Sequence, residues 1–204
     1  LYVDPRAANV IANNGTKTYG DVDPVLTFTT TGFVNGDTPG GTLSRVAGET
    51  VAGSPYAILQ GTLANPNYTI TYTGADFVIT PRPLIVVANA GTKIYGDADP
   101  AFTYVATGLL GSDTLSGALA RAPGETVAGS PYAILQGTLD NTNYTISYIG
   151  ADFLITRRPI SVVANPGTKI YGNADPALTY VATGLIGSDT LTGALTRAPG
   201  ETVA

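Results

Sequence analysis

The feature that most constrains this chain is an internal repeat of 76 residues that never slips register. Lys17-Thr18-Tyr19-Gly20-Asp21 returns as Lys93-Ile94-Tyr95-Gly96-Asp97, and again as Lys169-Ile170-Tyr171-Gly172-Asn173. Ala47 to Leu63 recurs at Pro123 to Leu139 with one change. The stretches from Lys93 to Ala128 and from Lys169 to Ala204 differ at five positions. Such self-similarity sets the organisation before any residue is read by itself. The repeats meet at Thr80-Pro81-Arg82-Pro83 and Thr156-Arg157-Arg158-Pro159. Proline fixes φ and lacks a donor, so these joints are expected to be short and stiff rather than flexible tethers.

The boundaries follow. Residues 1–4 are expected to be the last strand of a preceding repeat, since Leu1-Tyr2-Val3 is equivalent to Phe77-Val78-Ile79. Residues 5–80 form repeat A, 81–156 repeat B, and 157–204 repeat C, which stops before its last strands. A chain that starts and stops inside units reads as a segment of a longer array.

Within one unit the signals are nearly all β. Tyr68, Ile70 and Tyr72 alternate with Thr69, Thr71 and Thr73, which predicts a strand with one wet face. Tyr144, Ile146 and Tyr148 repeat the pattern, and Phe102–Thr107 alternates likewise. Leu84-Ile85-Val86-Val87-Ala88 is a continuous apolar run, read as a strand covered on both faces. Tyr132–Leu135 and Phe153–Thr156 supply two more strands, with Gly, Pro, Asn and Asp clusters between. Ser112–Gly117 is expected to form one short helical turn. The expected fold class is mostly β: tandem small domains, β-grasp-like, with immunoglobulin-like sandwich repeats as the alternative.

Composition excludes much chemistry. His and Cys are absent, which removes the Ser-His-Asp triad, a thiol nucleophile and ordinary zinc sites. A net charge of −5 with ten scattered cations argues against nucleic acid as a partner. No apolar run is long enough to insert in a membrane as a helix. Acids sit in shallow turns repeated in every unit, whereas an enzyme needs one shaped pocket, so no enzyme is expected.

Three residue sets carry sharper readings. Asp21 and Asp23, with their copies Asp97 and Asp99, sit in Gly-Asp-x-Asp-Pro turns and are calcium candidates, set against their ordinary use in turns. Otherwise no metal or cofactor is expected. Lys93 is a candidate for a covalent cross-link to Asn89 promoted by Glu125, although its place four residues along the chain suits such a bond badly. A Thr–Gln ester through Gln136 is the parallel idea. Tyr95 and Tyr104 are read as core residues with a rim hydroxyl rather than a sugar-binding face. Asn14, Asn67 and Asn143 each match the glycosylation acceptor pattern, a short motif common by chance.

The string from Lys93 to Tyr104, followed by Thr107-Gly108-Leu109, Gly111–Gly117, Tyr132-Ala133-Ile134, Gly137-Thr138-Leu139 and Asn143–Ile146, resembles the MBG domain of the YGX type. The resemblance runs through essentially the whole chain. It departs at Asn173, where an Asp is expected, and at Asn35–Gly41, which differs from Leu110–Gly117. It implies a mostly-β, glycine-rich repeat of large, filamentous-haemagglutinin-like bacterial surface adhesins. It therefore implies an extracellular location at the bacterial cell surface, and it supplies no catalytic residues. The expected role is a structural stalk or spacer that projects a distal binding region. The alternative is a repeated weak glycan- or calcium-binding module acting by avidity. The expected partners are neighbouring repeats, like chains in a filament, or a host or environmental surface met through regions outside this segment.

Overall fold

The computed structural model describes residues 1–203. It is all-β, with no helix among the described residues. Repeat A contributes β1 (Arg6–Ala12), β2 (Gly15–Thr18), β3 (Phe28–Thr31), β4 (Ser44–Arg45), β5 (Tyr56–Leu59), β6 (Tyr68–Thr73) and β7 (Ala75–Thr80). Repeat B reproduces them as β8 (Arg82–Ala88), β9 (Gly91–Ile94), β10 (Tyr104–Thr107), β11 (Ala120–Arg121), β12 (Tyr132–Leu135), β13 (Tyr144–Ile149) and β14 (Ala151–Thr156). Repeat C carries β15 (Ser161–Ala164) and β16 (Tyr180–Thr183). Leu1, Tyr2 and Val3 lie outside any strand and are exposed.

The chain divides into two compact units. The first holds Leu1–Asn89, Phe102–Ala120 and Leu135–Ala151; the second holds Ala90–Ala101, Arg121–Ile134 and the chain from Asp152. The first unit therefore contains all of repeat A and the leading sheet of repeat B.

Repeats A and B are each built from two small sheets. In repeat A, β3-β1-β6 forms one and β2-β7-β5-β4 the other. The chain crosses between them five times, most tightly at Asn13-Asn14 between β1 and β2 and at Gly74 between β6 and β7. Period-two alternation decides which side chains go in. Ala8, Val10 and Tyr68 are buried while Ala7, Asn9 and Thr69 face outward. In the second sheet Tyr56, Ile58, Phe77 and Ile79 close on Ala12, with Tyr19, Leu26, Leu43 and Val51 packed around them. Phe77 is fully buried, and each such side chain contributes roughly 1.5–3 kcal/mol of transfer free energy.

The first unit also holds the leading sheet of repeat B, ordered β10-β8-β13. Its central strand corrects one expectation. Leu84, Val86 and Ala88 are buried, but Ile85 and Val87 are 49% and 38% exposed. The run is apolar on both faces, yet the sheet covers only one. The second unit holds β11-β12-β14-β9, whose end residues Ala120, Leu135 and Ala151 belong to the first, and the pair β15-β16. Phe153 and Ile155 form its core as Phe77 and Ile79 do in repeat A.

The segment Ser112–Gly117 is not helical: a turn at Gly111-Ser112, closed by Asp113 N–H donating to the Leu110 carbonyl at 2.9 Å, leads into an isolated antiparallel bridge between Ser116 and Asp140. The Asp113 carboxylate does not cap a helix; it accepts the Tyr144 hydroxyl.

Candidate functional site

Two constellations recur with the repeat, and both grow from the Lys-x-Tyr-Gly-Asp string. The first is a four-charge cluster. Strand β2 places Lys17 inward, the following turn supplies Asp23, β4 supplies Arg45, and the loop after it supplies Glu49. Lys17 Nζ lies 2.7 Å from Asp23 Oδ1 and also pairs with Glu49. Arg45 donates through Nε and an NH2 group to Asp23 at 2.5 and 3.0 Å, and to Glu49 at 2.5 Å. Its remaining amino group donates to the carbonyls of Gly48 and Val46 at 2.6 and 3.1 Å. The guanidinium carbon lies 4.9 Å from the Phe77 ring centre and 5.4 Å from that of Tyr56. Arg45 is thereby held over the aromatic core with every donor used.

The electrostatics are self-consistent. Arg45 holds the Asp23 carboxyl down to about 2, against the opposing effect of burial. Lys17, then Arg45, hold Glu49 below the usual carboxylate range. Burial pulls Lys17 down, but its bonds to Asp23 and Glu49 outweigh this and the net shift is upward. All four groups stay charged and the cluster is neutral as a whole. Repeat B repeats it: Lys93 lies 2.7 Å from Asp99 and 2.5 Å from Glu125, and Arg121 donates to both acids. Repeat C does so with Lys169, Asp175, Arg197 and Glu201, where Arg197 is more exposed.

The second constellation is the joint between repeats. Gly20 takes φ +81° and turns the chain beyond β2, so that Tyr19 and Asp21 present themselves to repeat B within the first unit. Arg82, at the head of repeat B, donates from Nε to the Tyr19 carbonyl at 2.7 Å and pairs with the Asp21 carboxylate. The Tyr19 hydroxyl donates to Asp113 at 3.0 Å, and its ring meets that of Tyr144 edge-on at 5.5 Å. Asn143 accepts the Val51 N–H at 3.0 Å. A Cβ on Gly20 would stand 2.0 Å from the Leu110 side chain, so the glycine is also a socket. In the second unit the same parts join B to C. Arg158 donates to the Tyr95 carbonyl at 2.7 Å and pairs with Asp97, Tyr95 donates to Asp189, and Ile186 fills the space beside Gly96. In repeat C, Tyr171 is exposed and nothing lies within 4 Å of a Cβ on Gly172.

These contacts locate the residues singled out from the sequence. The calcium candidates are all ion-paired: Asp21 with Arg82, Asp97 with Arg158, Asp23 with Lys17 and Arg45, Asp99 with Lys93 and Arg121. Among the described residues no group of three or more acids converges as a metal site would need. Of the cross-link candidates, Lys93 and Glu125 meet, while the Asn89 amide donates to Thr103 Oγ1 at 2.9 Å. Gln136 donates to the Leu139 carbonyl within its own turn. Asn14 accepts the Asp76 N–H, and Asn143 belongs to the joint.

Sequence reasoning missed the arginines. The signal was available: Arg6, Arg82 and Arg158, like Arg45, Arg121 and Arg197, recur at the repeat period. In a chain with ten cations, such recurrence marks structural use.

The geometry defines a class: a serial array of small β modules, each charge-clamped internally and docked on the next. The family model described as MBG domain (YGX type) matches residues 8–78, 84–154 and 160–204. The chain belongs to that family, whose repeats are structural, non-enzymatic modules typical of extracellular surface proteins. No curated protein and no solved structure matches it.

Proposed function

We propose that this chain is part of the stalk of a secreted bacterial surface adhesin or extracellular filament, in which serially docked repeats hold a distal binding region away from the cell. Its partners are then its own neighbouring repeats, and like chains or a host surface met elsewhere. The single observation that carries the reading is the joint. Arg82 and Arg158 make the same two bonds to the preceding Tyr-Gly-Asp string, and one hydrophobic side chain fills the same glycine socket. A spacer needs neighbours to be fixed on one another, and a joint of charge-assisted bonds around a socket provides that.

The test is a spin-label distance measurement across the first joint, between sites on β5 and β13. The parent chain gives a narrow distribution. Arg82→Ala broadens it at least two-fold without unfolding repeat A. An unchanged width would remove the basis for the spacer reading.

A further inference from the structure

The two sheets of a repeat share a feature that neither shows alone. Strand β1 pairs in parallel with β6, Arg6 opposite Tyr68 through Ile11 opposite Thr73. Strand β2 pairs in parallel with β7, Gly15 opposite Phe77 through Thr18 opposite Thr80. The offset is 62 residues at every rung of both. They are therefore one ladder that passes from sheet to sheet. Asn14 spans the break, its side-chain oxygen accepting the Asp76 N–H at 3.1 Å. This ladder joins the first strand pair of the repeat to its last. Repeat B keeps the offset, Arg82 opposite Tyr144 in the first unit and Gly91 opposite Phe153 in the second.

We infer from this register that repeat A is a shear clamp: tension along the chain is carried by the continuous parallel ladder β1-β2 against β6-β7, loaded on all rungs together. The reason is geometric. The chain enters the ladder at Arg6 and leaves it at Thr80. In a parallel pair these points lie at opposite ends. A pull on the chain ends therefore slides one strand along the other, and every rung stretches before any breaks. An antiparallel hairpin pulled from its open end would lose its rungs one at a time. Resistance to force is a rate of unfolding, set by interactions that must break together. Beyond Thr80 only Pro81 separates one ladder from the next, and Arg82 is tied back to Tyr19 at the end of β2. This inference deepens the stalk reading and rests on it for its biological use, but not for its measurement.

The chain has no cysteine, so engineered pairs give unique handles. In the full chain, Asp4→Cys with Thr73→Cys loads the β1–β6 ladder in shear. Asp4→Cys with Pro66→Cys loads the same ladder from one end and peels it. Single-molecule pulling at one loading rate is expected to give a several-fold higher rupture force for the first pair. Equal forces would overturn the clamp. A second measurement needs no substitution: when the parent chain is pulled from its termini, repeat C, which among the described residues carries only the antiparallel pair β15-β16, gives way first, and the last rupture should come near the shear force, releasing roughly 3.3–3.6 Å per residue freed. A last rupture near the peeling force would overturn the clamp. A joint that proves loose in the distance measurement, with the shear force intact, would count against the stalk alone.

Discussion

At the scale of single residues, the four-charge cluster shows how a chain with few charges uses them. Lys17 and Arg45 are almost wholly covered, while Asp23 and Glu49 keep part of their surface in water. Burying the cations is tolerable because each meets two acids and Arg45 uses all its donors. The sign of the pH dependence follows. The folded Asp23 carboxyl titrates at about 2 against an ordinary value of 3.8, so its contribution is complete above pH 4 and disappears as pH falls through about 2. Discounted for the solvent exposure of Asp23, it is on the order of 1 kcal/mol. The melting midpoint should fall steeply between about pH 4 and pH 2, and Lys17→Met with Arg45→Met should flatten that part of the profile. An unchanged slope in the double variant would assign acid lability elsewhere. Bonds to Asp99 and then Glu125 raise Lys93 in the same direction in repeat B.

At the scale of elements, the turns separate structure from docking. Gly20 and Gly36 have nearly equal backbone angles, φ +81° and +79°. A Cβ on Gly20 would overlap Leu110, whereas one on Gly36 would meet nothing within 4 Å. Gly36→Ala should cost only the backbone strain, about 1 kcal/mol. Gly20→Ala should cost that and also loosen the joint, seen as a broadened distance distribution that Gly36→Ala leaves narrow. Equal behaviour would mean that the glycine in the motif serves its turn and not its neighbour. The strands show the same division between local pattern and context. The alternation of Tyr68, Ile70 and Tyr72 with threonines was readable, because the period reports which face is dry. The run Leu84–Ala88 was not, because an apolar residue on an uncovered face has the same letter as one on a covered face.

At the scale of the whole molecule, neighbouring repeats are coupled through the Tyr-Gly-Asp end of the motif, Tyr19 and Asp21 in the first unit and Tyr95 and Asp97 in the second, while its lysine stays paired inside its own repeat. The candidate carboxylates are ion-paired, Asp21 and Asp97 at the joints and Asp23 and Asp99 in the charge clusters. Excess chelator, and calcium restored afterwards, should therefore leave the melting midpoint of the chain unchanged. A rise with calcium would show that these acids exchange their arginine and lysine partners for metal, and would favour the ligand-binding reading over the spacer.

The sequence by itself determined the 76-residue period, the β class, the turn positions and the family, because each is written in local order: spacing, alternation, and where Gly and Pro stand. Only the tertiary structure decided what the Lys-x-Tyr-Gly-Asp string does. Lys17 meets Glu49 across 32 residues, Tyr19 meets Asp113 across 94, and β1 meets β6 at an offset of 62. Partners so far apart are chosen by how the sheets fold over one another, and local order along the chain carries no record of that choice.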